Sequence, residues 1–151
     1  MQKKEVSGEA IAKSMFEMAK LKVPVIAIVI GEGSSGGALA ISVGNKIFML
    51  ENAIYSILSP EGYSSILWKD SSRVKEAAEK MRLTAKDLYD LKVIDKIIKE
   101  SSDEESFNKI CKSLKKEIIK SISELQTKTE SEIVEERYQK FRNIGEFVDL
   151  K

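Results

Sequence analysis

The chain has 151 residues, 42% of them hydrophobic, which is the length of one domain with enough apolar content for a modest core. Its 25 Lys+Arg against 24 Asp+Glu leave a net charge of +1, so no global field favours a nucleic acid or an anionic membrane, and neither is expected as a partner. Zero histidines and a single cysteine, Cys111, exclude a histidine-based triad, an internal disulfide and a multi-thiolate metal site within this sequence, and no metal is expected on it.

Residues Met1 to Ala10 carry Lys3 and Lys4 and run into the amphipathic "AIAKSMFEMAKL", not into an unbroken apolar segment, so no signal peptide is predicted and the cytoplasm is the expected compartment. Glu9 to Lys20 places Ile11, Ala12, Met15, Phe16, Met18 and Ala19 at helical spacing. "VPVIAIVI", residues 23 to 30, then reads as a buried strand entered at Pro24, and it is far shorter than the roughly 20 residues a bilayer span needs. After "GEGSSGG", residues 31 to 37, "GGALAISV" makes about two helical turns before Gly44 and Asn45 stop it. "KIFML" and "AIYSIL" read as short strands around Glu51 and Asn52.

Ser59 as N-cap, Pro60 at the first helical position and Glu61 near the positive helix end start a helix over "SPEGYSSILW". Ser71 to Arg82 predicts another, and Thr84 with Asp87 resembles a capping box opening "AKDLYDL" before the strand-like "KVIDKII". From Ser101 the polar "SSDEES" connects to a long helix carrying Phe107, Ile110, Cys111, Leu114, Ile118, Ile122 and Leu125, and a last helix carries Ile133, Val134, Tyr138 and Phe141. Alternating helices and strands predict an α/β layer structure over residues 1–100, with residues 101–151 as a C-terminal helical appendage.

The glycine turn fits several chemistries. As a P-loop it fails, because Gly37 and Ala38 stand where lysine and a hydroxyl residue are needed. Gly31, Gly33 and Gly36 satisfy G-x-G-x-x-G with Glu51 twenty residues after Gly31, a dinucleotide fingerprint, although the following helix is short for a crossover to a parallel strand. Gly33, Ser35 and Gly37 spell a G-x-S-x-G elbow, but no histidine exists to activate Ser35, and a serine here is more often a cap or turn residue. A fourth reading needs no side chain: a helix starting at Ser35 to Gly37 aims unpaired amides at an external anionic oxygen. Against it stands plain packing, in which Gly36 and Gly37 merely allow a helix and a strand to approach.

The order of "LKVPVIAIVIGEGSSGGALAI", "YSILSPEGYSSILWKD", "AAEKMRLTAKDLYDLKVIDKII" and "ERYQKFRNIG" resembles the α subunit of bacterial-type acetyl-CoA carboxylase carboxyltransferase, in register from about Gly8 to Gly145. The resemblance implies a crotonase/ClpP-like α/β fold, a superhelix of ββα turns, present here in part. It implies transfer of carboxyl from carboxybiotin on the biotin carboxyl carrier protein to acetyl-CoA, giving malonyl-CoA for fatty acid biosynthesis, within an ATP-binding multisubunit enzyme. Gly36 and Gly37 would then present backbone amides to an oxyanion, with Gly33, Ser34 and Ser35 contacting substrate. A zinc-bearing β subunit would complete the site in an α2β2 heterotetramer.

Family α subunits are roughly twice this long, which marks the chain as the C-terminal half and predicts that it is inactive alone; a non-catalytic scaffold or truncated subunit is the competing expectation. The family also continues after Glu100 with a proline, two glycines and a histidine, where this chain has "SSDEES". Glu61 is expected to serve the helix dipole ahead of any catalytic role, Lys69, Arg73 and Lys75 a solvated face ahead of phosphate contacts, and Trp68 an anchor ahead of biotin stacking.

Overall fold

The computed structural model describes residues 2–102 and 106–145, with side chains from residue 8 onward. Helix α1, Gln2–Lys20, leads past Pro24 into strand β1, Ile26–Val29. Strand β1 pairs in parallel with β3, Lys46–Leu50, from Ile26 opposite Lys46 to Val29 opposite Met49. Strand β5, Lys96–Ile98, lies parallel on the other side of β3, giving the order β1-β3-β5. The connection from β1 to β3 contains a further strand, β2, Glu32–Ser34, and the short helix α2, Gly36–Ile41. Strand β2 pairs in parallel with β4, Ile54–Ser56, to make a second, two-stranded sheet.

Each repeat therefore gives its first strand to one sheet, its second to the other, and then a helix: β1-β2-α2, followed by β3-β4 and α3, Pro60–Trp68. This is the ββα pattern the resemblance implies. Two details differ from the sequence reading. The glycine turn contains a strand, because β4 supplies a partner for Glu32 to Ser34 that local propensity could not announce. The link through β2 and α2 also does place a parallel neighbour beside β1, so the objection that the helix is too short for a crossover falls.

The central strand β3 is buried on both faces, with Ile47, Phe48, Met49 and Leu50 at 9% exposure or less, as a continuous apolar run in a parallel sheet requires. Ala53, Tyr55, Ala85, Leu88, Ile94 and Ile98 complete that cluster. Helix α3 begins as spelled, with the Ser59 hydroxyl accepting from the Gly62 amide at 3.2 Å and Pro60 at its start. Helices α4, Val74–Met81, and α5, Ala85–Asp90, follow, and Thr84 caps α5 by accepting from the Asp87 amide.

Helix α6, Ser106–Leu125, lays Ile110, Leu114 and Ile118 on the core, and α7, Glu130–Arg142, packs against α1. Residues 103–105 of the "SSDEES" connection lie outside the described residues. Helix α1 buries less than its periodicity suggests: of its apolar residues Ile11 and Met18 are half-buried, whereas Phe16 is 63% exposed.

One buried side chain ties the ends of the chain together. Arg137 of α7 is 1% exposed, and its guanidinium donates to the carbonyls of Met18, Ala19, Leu21 and Val23 and to Asn45 Oδ1 at 2.7–3.2 Å. Four of these acceptors are carbonyls at the end of α1 and in the following turn, where intrahelical donors run out; the Met18 carbonyl also accepts from the Leu21 amide at 3.3 Å. Asn45 in turn accepts from the Val25 amide and donates to the Ile133 carbonyl, which fixes the entries to β1 and β3. A Cβ on the neighbouring Gly44 would stand 2.9 Å from the Val25 carbonyl oxygen, so this junction admits no side chain without a backbone shift.

Candidate active site

Strand β1 ends at Val29, the Gly31 carbonyl accepts from the Ile54 amide at 3.0 Å, and β2 carries the chain to Ser35. Ser35 is extended, with φ −166 and ψ 163, and its Oγ accepts from the Ala38 amide at 3.1 Å. That bond makes Ser35 the N-cap of α2, the structural role the sequence offered beside the nucleophile. With Ala38 satisfied, the Gly36 and Gly37 amides sit in the first turn with no acceptor among the described residues. No acidic residue stands in that first turn to compete for them.

The packing demands on the glycines separate two groups. A Cβ on Gly33 would lie 3.1 Å from Tyr55 Cδ2, so this glycine lets the Tyr55 ring pass beneath β2. A Cβ on Gly36 would meet Ile11 only at 3.7 Å, and one on Gly37 only Ser35 Oγ at 3.5 Å, both ordinary contacts. Neither has a positive φ. The interior of this chain therefore does not require glycine at 36 or 37, and the packing explanation for the pair is not supported by its surroundings.

A crevice of about 350 Å³ opens beside the turn, lined by Ile28, Ile30, Gly33, Ile41, Ser42 and Tyr55 among others. Of the candidate residues Gly33 reaches it; Ser34, Ser35, Gly36 and Gly37 stand outside its lining. Ser34 lies opposite Ser56 in the β2-β4 register. Tyr55 and Ser42 carry no sequence signal for this place. Burial pushes the Tyr55 hydroxyl pKa up, and a hydrogen bond with Ser42 opposes that shift.

The other sequence candidates are already occupied. Glu51 pairs with Lys99 Nζ at 2.5 Å and accepts from the Glu100 amide, contacts that hold its carboxyl below the usual range, so it is engaged within the fold where the dinucleotide reading needs it open. Glu61 is held low by its own backbone N–H and by Ser59, a helix-start arrangement. The Arg73 guanidinium sits 4.0 Å from the Trp68 ring centroid and bonds Glu76, Lys80 lies 5.4 Å from the same ring, and Tyr63 meets it edge-on. Trp68 thus joins α3 to α4. Lys69 terminates α3 in the left-handed conformation with φ 55, and Lys75 is exposed.

A family profile described as acetyl co-enzyme A carboxylase carboxyltransferase-like matches residues 2–145. The acetyl-coenzyme A carboxylase carboxyl transferase subunit alpha of Clostridium beijerinckii is 54% identical over 142 residues, 93% of this chain and 52% of that protein. The corresponding subunits beta/alpha protein of Natranaerobius thermophilus is 49% identical over 147 residues, 94% of this chain and 24% of that protein.

Among solved structures, a Pseudomonas malonate decarboxylase hetero-tetramer in complex with coenzyme A superposes with a TM-score of 0.65 at 11% identity, covering 86% of this chain and 52% of that one. The transcarboxylase 12S core reaches 0.61 at 16%, covering 78% and 21%. These likenesses establish a carboxyltransferase, crotonase-like fold. The chain spans about half the length of the curated alpha subunits it matches. On the profile match and these identities, the chain belongs to the acetyl co-enzyme A carboxylase carboxyltransferase-like family.

Proposed function

We propose that the chain is the C-terminal half of a carboxyltransferase α subunit, which moves carboxyl from carboxybiotin on the biotin carboxyl carrier protein to acetyl-CoA and yields malonyl-CoA. The observation that carries this reading is the pair Gly36-Gly37: two unpaired amides at a helix start, bare of side chains where the fold has room for them. As the N–CO2 bond of carboxybiotin breaks, negative charge gathers on the ureido oxygen, and these amides are placed to hold it. The acetyl methyl group gives up a proton to the biotin nitrogen, and the resulting enolate carbon bonds the released carboxyl. Ser35 keeps the amides aimed by capping α2, Gly33 borders the crevice, and substrate contact by Ser34 is part of the same proposal.

The partner that polarises the thioester is proposed to be the β subunit, in an α2β2 assembly in the cytoplasm. The zinc that the resemblance implies is proposed to sit on that partner. ATP binding, which the resemblance attaches to the whole enzyme, is assigned to other components, since Gly37 and Ala38 occupy the P-loop positions. No helix among the described residues is long and apolar enough to cross a membrane.

Substitution Gly37→Val in a complex reconstituted with the β subunit tests the mechanism. The variant keeps its N–H but sets a branched side chain beside it, so the oxyanion is held away from the amide and carboxyl transfer falls by about 100-fold, on the order of losing one donor; far-UV circular dichroism checks that the variant is folded, since a Cβ at 37 meets only Ser35 Oγ at 3.5 Å. A folded complex with undiminished rate overturns the amide proposal. Transfer by a full-length α subunit but not by this chain would favour the non-catalytic reading of the piece.

A further inference from the structure

The outward face of α6 carries charge that the fold does not use. Ile110, Leu114 and Ile118 pack on the core and Ser121 and Leu125 are buried, which turns the opposite arc of the helix to solvent. Lys112, Lys115, Lys116 and Lys120 are all exposed on that arc, and the spacing of four from Lys112 through 116 to 120 draws a row about 12 Å long. The two acidic residues of α6 sit to its sides: Glu117 pairs with Lys96 at 3.4 Å and Glu124 with Lys46 at 3.3 Å.

Lys112, Lys115, Lys116 and Lys120 form no ion pair among the described residues. In a chain of net charge +1 this is local segregation, not the overflow of a basic protein. Like charges at i,i+4 disfavour a helix, so folding gives no reason for the row.

We propose that this face docks the biotin carrier protein through an acidic patch on the carrier; the inference rests on the carboxyl-transfer reading, in which a carrier must visit the enzyme. Two features favour a protein over other polyanions. The arc from Lys112 to Ile122 holds no aromatic ring for bases to stack on. Ile119, 53% exposed, sits amid the lysines as a small apolar centre within a charged rim, the layout of a protein interface. A charged rim also gives fast, salt-sensitive encounter, which suits a partner that must arrive and leave on each cycle.

The test is the triple charge reversal Lys112→Glu, Lys116→Glu, Lys120→Glu in the reconstituted carboxyltransferase, assayed with biotin on the carrier domain and with free biotin. The expected result is a KM for the carried biotin raised on the order of tenfold at low salt, with kcat and the KM for free biotin unchanged, and a smaller rise for the triple Gln variant. An unchanged carrier KM, or an equal rise for free biotin, overturns the proposal.

Calorimetric titration of the complex with the carrier domain reads docking without turnover. If the unmodified complex transfers no carboxyl to either substrate, the carboxyl-transfer reading falls, while weakened carrier binding in the variant still supports the docking face and unchanged binding overturns it. Loss of binding to phosphatidylglycerol vesicles or to duplex DNA, with carrier binding intact, also overturns it.

Discussion

At the scale of single residues, the glycines divide by what a side chain would strike. Gly44 faces the Val25 carbonyl at 2.9 Å, and Gly36 faces only the Ile11 side chain at 3.7 Å. Gly44→Ala should therefore cost about 1–3 kcal/mol through forced backbone movement, whereas Gly36→Ala should leave stability unchanged or raised by up to about 1 kcal/mol. Urea midpoints at constant m-value measure both; equal effects would mean that the contact distances do not govern these sites. Arg137 is the residue that sequence reading missed most fully. "ERYQKFRNIG" looks like an exposed helix end, and nothing local says that its arginine is buried against carbonyls more than one hundred residues earlier. Its charge has no carboxylate partner among the described residues and is compensated by peptide dipoles, chiefly the negative end of α1. Arg137→Met should lower stability by about 3 kcal/mol or more, because several buried carbonyls lose their donor together. A loss under about 1 kcal/mol would show that water or a shifted neighbour replaces the guanidinium readily.

At the scale of elements, caps were legible and partners were not. Ser59-Pro60-Glu61 named the start of α3 because all three features act within one turn. Strand β2 escaped notice because Glu32-Gly33-Ser34 has no strand propensity of its own and exists through β4, whose pairing lies about twenty residues away. Parallel pairing of β1 with β3 was hidden for the same reason. The site was legible in its backbone, Gly36 and Gly37, while Tyr55 and Ser42 reached the crevice only through that second sheet. Helix α7 shows how a cap adds a pH dependence. Thr129 accepts from the Glu132 amide, and Glu132 accepts from the Thr129 N–H at 2.7 Å, closing a full capping box. The Thr129 backbone N–H first, then its hydroxyl, lowers the Glu132 pKa. A lowered carboxylate pKa means stability present above the unfolded value and lost as pH falls through the folded one. Glu132→Gln should accordingly be less stable than the parent at pH 7, with the gap closing as pH falls through the lowered Glu132 pKa. A gap that persists undiminished into acid would assign the effect to shape, not charge.

At the scale of the whole molecule, one of the apolar stretches of the described surface borders the glycine turn. Ile30, the residue just past β1, and Ile41, the last residue of α2, are 70% and 72% exposed and line the crevice beside β1, and both β1 and β2 pair with a strand on one side only. Ile57, Ile66 and Leu67 add a second apolar cluster at α3, between 59% and 70% exposed. An unpaired strand edge bearing large apolar side chains is a template for further chains, and natural proteins blunt such edges with charge. Among the described residues that line the crevice, the only charged one is Glu32 at the start of β2. In isolation at tens of micromolar, the chain should therefore self-associate, and size-exclusion chromatography with light scattering should show species above the monomer mass. Ile30→Lys places a charge on that edge and should shift the population toward monomer without lowering the urea midpoint, since Ile30 contributes little to the core. The same substitution should weaken incorporation into a carboxyltransferase complex if β1 is an assembly edge. A monomeric parent at those concentrations would refute the self-association, whereas an Ile30→Lys variant that associates equally would move the origin of assembly from this edge to the α3 cluster, where Leu67→Lys repeats the measurement.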